Sequence, residues 1–311
     1  MKKRLLILLL ALSLIFSAAC GRAENTAQEG MSFTDDMGRE VIVPKRPERV
    51  AVLIGSFADV WCLAGGRDSI AAAADDTWTQ FELGLSDDVI NLGGVKEPNV
   101  EKLLASEPEL VIGSARTAAD VELEEMLREM GIPVLYFNVS SFEDYLNRLK
   151  ICTEITGQEE NYIKYGENIK AQVEAAVKKA DGSAPTVLYI RATGSSCKVK
   201  NSEGTVLGEM LKDLGCVNIA DSETGLLENL SMESIIACDP DYIFTVLQGS
   251  DSSKAEKSLR EALLSNPAWD SLSAVKEGRF HILDQKLYNL KPNARWGEAY
   301  ENLAELIYGG K

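Results

Sequence analysis

Residues 99–113, NVEKLLASEPELVIG, and residues 231–245, SMESIIACDPDYIFT, are two copies of one unit. Glu101 falls on Glu233, Leu103-Leu104 on Ile235-Ile236, Ala105 on Ala237, Glu107 on Asp239, Pro108 on Pro240 and Val111-Ile112 on Ile243-Phe244. Each copy reads as a short helix, a proline break and a buried strand. In a parallel sheet the connecting helices run opposite to the strands. Helix starts therefore lie beside strand carboxyl ends, where ligands bind in open α/β sheets. Each unit places a glutamate at such a start. The helix dipole explains either glutamate alone, at about 0.3–1 kcal/mol. Recurrence on both halves points instead to two acidic prongs that dock on a basic partner of matched spacing.

The surrounding pattern extends the duplication. Residues 32–48 hold a turn at Asp36-Met37-Gly38 and two prolines, and read as an edge hairpin. Short apolar runs at 49–54, 69–74, 109–113 and 133–138 read as buried strands, with helices between them at 57–64, from 99, and at 118–130. The second half repeats this style. Strands fall at 186–190, 242–247 and 279–283, and helices at 205–214, 231–237 and 254–264. Such alternation predicts two Rossmann-like α/β lobes with largely parallel sheets.

Residues 157–182 contain no proline, and Ile169, Val173 and Val177 form one apolar stripe. They predict one long connecting helix, whose helical residues would reach roughly 35 Å at 1.5 Å each. The N-terminal lobe then spans 32–156 and the C-terminal lobe 183–311. The last helix opens near Pro292 and carries Trp296, Tyr300, Leu303 and Ile307 on one face.

The chain has 311 residues, long enough for two cores, and its formal charge of −16 disfavours nucleic acid as a partner. Residues 1–20 read as an export signal: basic, then apolar, then small. Cys20 stands where a bacterial lipoprotein signal carries its lipidated cysteine, although Ser17 occupies a position usually held by leucine. Residues 21–31 read as a tether. Five further cysteines form no C-x-x-C pair. A Cys197–Cys216 disulfide stays open at this point.

The stretches TDDMGREVIVPKRPERVAVL, LGGVKEPNVEKLLASEPELVIGS and NPAWDSLSAVKEGRFHIL together carry a resemblance that covers nearly the whole mature chain. The sequence resembles the periplasmic binding proteins whose lobes are joined by a single helix and which serve ABC importers of ferric siderophores, haem and cobalamin. The resemblance implies a monomer anchored by lipid on the extracytoplasmic face. It implies a ligand cleft between the lobes, modest closure, and an ABC permease dimer with its cytoplasmic ATPase as partner. It assigns Glu101 and Glu233 to arginines of that permease. It also implies a small-molecule metal chelate or tetrapyrrole as ligand, with no resident cofactor.

Loops after strand ends then supply the cleft candidates: Ser56, Phe57, Thr77, Trp78 and Arg116 from the first lobe, and Arg191, Lys198, Gln248, Tyr288, Lys291 and Arg295 from the second. The basic residues suit an anionic chelate through charge-assisted hydrogen bonds, the aromatics suit ring stacking. Trp296 is weighed for stacking too, but lies on an apolar stripe that favours the core. The single histidine, His281, sits in a strand, which disfavours a histidine metal cluster or a His-dependent triad. No phosphate loop, dinucleotide fingerprint or HExxH occurs, so a binding protein is expected rather than an enzyme. An oxyanion ligand in the same fold, or a sensor uncoupled from transport, are the alternatives.

Overall fold

The computed structural model describes residues 30–249 and 251–309. The export signal, Cys20 and tether residues 21–29 lie outside the described residues. The first two described residues correct the tether boundary, because Gly30 and Met31 already belong to strand β1 (Gly30–Thr34). This strand pairs antiparallel with β2 (Glu40–Pro44). The Asp35 carboxylate closes the turn by accepting from the Met37 and Arg39 amides, both at 3.0 Å. Asp36 donates its amide to the Tyr136 carbonyl and accepts from the Asn138 amide at 2.6 Å. The hairpin thus covers the exposed edge of the first sheet, which would otherwise offer unpaired backbone groups.

That sheet contains β3 (Val50–Val52), β4 (Ile70–Ala73), β5 (Ile90–Asn91), β6 (Leu110–Ser114) and β7 (Val134–Phe137). The order is β5-β4-β3-β6-β7, all parallel. The chain crosses one way from β3 to β4 and the other way to reach β6, so the strand order switches between β3 and β6. Helix α1 (Gly55–Leu63) follows β3 directly, α2 (Val100–Ala105) precedes β6, and α3 (Phe142–Thr156) follows β7. Gly157 ends α3 in the left-handed conformation at φ 68°, the usual helix stop.

The connecting helix therefore starts later than expected. It runs as Glu160–Tyr162, a π turn at Ile163–Glu167, and α4 (Asn168–Val177). Its length is roughly 27 Å at 1.5 Å per residue. The path stays helical through the π turn, since Tyr162 and Glu167 keep helical backbone angles. A π turn leaves a carbonyl without its regular partner. The Tyr145 hydroxyl fills that role by donating to the Tyr165 carbonyl at 2.8 Å. Gly166 packs closely beside it, since a Cβ there would lie 3.1 Å from the Tyr162 ring and 3.5 Å from Leu146.

The second sheet contains β8 (Thr186–Ala192), β9 (Cys197–Lys200), β10 (Val217–Asn218), β11 (Tyr242–Leu247) and β12 (Phe280–Leu283). Its parallel order is β10-β8-β11-β12, with β9 added antiparallel to β8. Helix α5 (Met232–Cys238) leads into β11, and α6 (Trp296–Tyr308) closes the fold. The two repeated units share backbone detail as well as sequence. Glu107 and Asp239 follow their helices at φ 45° and 38°, each just before a proline. A left-handed non-glycine residue is uncommon. Asp239 is held there by accepting from the Ser273 amide at 2.8 Å and hydroxyl at 2.6 Å.

The strut is not an isolated rod. Ile169, Val173 and Ala176 bury one face of α4 in an apolar core that also takes Val50, Phe57 and Phe137 from the first lobe and Tyr189, Phe244 and Leu303 from the second. At its centre the α6 residue Trp296, fully buried, meets Phe142 and Tyr145 of α3 at ring distances of 5.8 and 6.3 Å. Packing of one large core across both lobes limits how far they can open. All five described cysteines are free, which settles the Cys197–Cys216 question against a disulfide.

Candidate functional site

Both switch points deliver side chains to one place. In the first lobe, Gly55 opens α1 after β3 and donates its amide to the Asp76 carboxylate at 2.8 Å. A Cβ on Gly55 would sit 2.8 Å from the Thr77 amide nitrogen, so only glycine lets the 75–77 loop seat there. Arg116 follows β6, and its Nε donates to Asn138 Oδ1 at 3.2 Å, beyond β7. In the second lobe, Arg191 lies near the end of β8. Its guanidinium donates to the Tyr189 hydroxyl at 3.0 Å and stacks over that ring.

These groups face one another across the lobes. A cavity of about 180 Å³ is lined by Arg116, Asn138 and Ser140 from the first lobe and by Arg191, Thr205 and Lys291 from the second. Gly204 of the second lobe comes close enough that a Cβ there would lie 3.3 Å from Arg116 Nη2. Burial pushes the Lys291 ammonium below the ordinary lysine range, and the nearby Arg191 and Arg116 charges add to this. The Asp76 carboxylate opposes the shift. Lys200 is depressed likewise, by burial first and then by Arg191 and Lys198. Lys198 is exposed and directly opposite Arg191 in the β8–β9 ladder. An acidic chain thus brings Arg116, Arg191 and Lys291 together in the gap between its halves. That arrangement fits a ligand with several negative charges.

The remaining candidates divide. Ser56 and Thr77 are buried outside the cavity lining, and their hydroxyls have no partner among the described residues. Gln248 is half-buried at the end of β11, held by its amide to the Ala192 carbonyl. Trp78 is 40% exposed and borders a separate depression with Phe81 and Leu85. Three expectations are corrected. Phe57 is core, edge-on to Phe137 at 5.5 Å, because it falls on the inward face of α1. Tyr288 is core too, its hydroxyl donating to the Ala299 carbonyl at 3.1 Å. Arg295 turns away from the cavity into a two-bond ion pair with Glu298, both bonds at 2.7 Å. Asn138, Ser140 and Thr205 were not foreseen. The strand-end rule applied to β7 would have found the first two.

Asp120 is a further buried group beside this site. Its Oδ2 accepts from the Ser114 amide at 2.7 Å, while Oδ1 is buried without a partner. Burial pushes its pKa up to about 7. Between the ordinary carboxylate value of 3.8 and about 7, the unfolded chain is ionised where the folded one is not, so stability falls as pH rises. Asp120→Asn keeps an acceptor for Ser114 and removes the charge. It should raise the melting temperature at pH 8 and flatten its decline from pH 5 to 8, as followed by circular dichroism.

Glu101 and Glu233 are both exposed. Asn99 caps α2 by accepting from the Lys102 amide at 2.9 Å, and the Lys102 ammonium reaches the Asn91 carbonyl at 3.0 Å, so the helix start is tied to the carboxyl end of β5. Ser231 caps α5 in the same way, through the Ser234 amide at 3.2 Å. Each glutamate therefore stands exposed in the first turn of a capped helix.

A family model described as periplasmic binding protein matches residues 50–287, from β3 to the helix beyond β12. The chain belongs to the periplasmic binding protein family. Among curated members from Bacillus subtilis, the petrobactin-binding protein YclQ is 24% identical over 99% of this chain and 97% of its own length. The Fe(3+)-citrate-binding protein YfmC is 24% identical over 89% of this chain and 87% of its own. Among solved structures, Staphylococcus aureus SirA complexed with staphyloferrin B superposes with a TM-score of 0.68 at 21% identity, covering 90% of this chain and 97% of that one. Staphylococcus aureus IsdE complexed with haem gives 0.67 at 16%, covering 84% and 98%. These likenesses establish the two-lobed fold of the family.

Proposed function

We propose that this chain is a lipid-anchored, extracytoplasmic binding protein that captures an anionic ferric chelate between its lobes and delivers it to an ABC importer. The observation that carries this reading is the meeting of Arg116 with Arg191 and Lys291 across the lobes. Chelates rich in carboxylates suit that charge, and the names of YclQ, YfmC and SirA point to the same chemistry. Haem is a weaker fit. The single histidine lies in β12, ring-stacked on Phe244 at 5.7 Å, and so supplies no axial ligand to the cavity. Calorimetric titration with ferric citrate, free citrate and phosphate tests the reading: tight binding of the ferric form alone supports it, and equal or tighter binding of phosphate favours the oxyanion alternative.

Two further expectations belong to the same reading. Glu101→Ala with Glu233→Ala should abolish iron uptake in cells while chelate affinity stays within about twofold, because both side chains are exposed and outside the cavity. A collapse of affinity would refute the docking role. Cys20→Ser should move the protein from the membrane fraction to the soluble one, and unchanged retention would contradict the anchor.

A further inference from the structure

The loop that carries Lys291 is pinned to the opposite lobe by one fully buried amide. Asn293 is 0% exposed and holds φ 51°, a conformation that asparagine tolerates better than other non-glycine residues. Its Nδ2 donates to the Ser56 carbonyl and to Asp59 Oδ2, both at 2.8 Å. Ser56 is the second residue of α1, the helix that follows the switch-point strand β3, and Asp59 lies one turn along it. On its own side Asn293 is separated from Lys291 by Pro292 alone, whose fixed φ transmits orientation along the loop. The amide therefore ties the loop that brings charge to the cavity to α1, in the lobe whose Arg116 and Asn138 line the cavity's other wall.

We infer that Asn293 is a positioning residue that, through Ser56 and Asp59, sets the separation of the lobes and holds Lys291 toward Arg116. The inference concerns lobe geometry, and its ligand arm alone rests on the proposed function. Asn293 makes the one side-chain bond described between α1 and the Lys291 loop that ends on a carboxylate, and bonds to charged groups are roughly twice as strong as neutral ones. Asn293→Asp keeps the shape and the left-handed backbone but sets oxygen against oxygen at Asp59. Asn293→Gly keeps the backbone and deletes the pin.

Spin labels carried on unnatural residues at exposed Glu129 and Glu228 report the distance between the lobes by pulsed electron resonance in the ligand-free mature protein. Both variants should lengthen or broaden that distance distribution. Adding Asp59→Asn to Asn293→Asp restores one donor–acceptor bond and should narrow it again. Leu188→Ala, in the separate core of the second lobe, should lower the melting temperature without moving the distribution. In titrations with ferric citrate, Asn293→Gly should weaken binding about tenfold. An unchanged distribution in both Asn293 variants, or an equal change in Leu188→Ala, overturns the inference. A changed distribution in a protein whose wild type ignores ferric citrate upholds the pin and refutes the chelate reading instead.

Discussion

Lys291→Glu is expected to abolish binding of ferric citrate while making the ligand-free protein more stable. The lysine sits in a partly enclosed gap with Arg191 and Arg116 nearby, and burial first, then those two charges, hold its pKa below the ordinary lysine range. A polyanion would offset the repulsion among the three cations on binding. Glutamate at 291 neutralises the arginines from within and presents a like charge to the ligand. Removing one partner of a buried charge pair typically costs about 2–5 kcal/mol, or 30-fold and upward in affinity. Calorimetry and melting curves read the two effects together. Lost binding accompanied by a lower melting temperature would point to a structural lysine instead. Lys291→Gln should fall between, removing the charge without reversing it.

Trp296→Ala should be the most damaging substitution to the fold. The indole is fully buried and contacts Phe142, Tyr145 and Tyr300, so it joins the last helix to the helix that ends the first lobe. Large-to-small changes at such aromatics cost about 3–5 kcal/mol. The loss falls on the shared core, so calorimetry should show one unfolding transition for the wild type and two for the variant as the lobes uncouple. Its indole nitrogen is buried without a partner, which makes Trp296→Phe much milder. The exposed Trp78→Ala should change stability by no more than about 0.5 kcal/mol. One sharp transition in Trp296→Ala, at nearly the wild-type temperature, would contradict the shared-core account.

Much of the architecture was legible because buried parallel strands are written as apolar runs, as at 110–114 and 242–247. The repeated unit foretold matching helix caps at Asn99 and Ser231, though not the left-handed residues that follow. Strand β9 was missed because Cys-Lys-Val-Lys is short and half charged, and a Thr193–Ser196 turn rather than propensity folds it onto β8. The connecting helix was read too long because Gly157 looked like part of it, whereas its backbone had to turn left-handed. At the site, Arg191 and Lys291 converge while Arg295 does not. The local difference is Glu298, one helical turn beyond Arg295, which takes its guanidinium. Phe57 and Tyr288 were misplaced for the opposite reason: a loop neighbourhood says where the backbone runs, and only packing says which face a ring takes. Asn293 carried no motif, since its role depends on two partners more than 230 residues earlier in the chain.

The most direct test of a cation-lined cleft between two lobes is a calorimetric titration of the mature protein with ferric citrate at increasing ionic strength, run beside the Arg116→Gln and Arg191→Gln variants. The account predicts one site per chain, affinity that falls as salt rises, and a loss from either arginine although they belong to different halves. Binding indifferent to both arginines and to salt would place the ligand elsewhere.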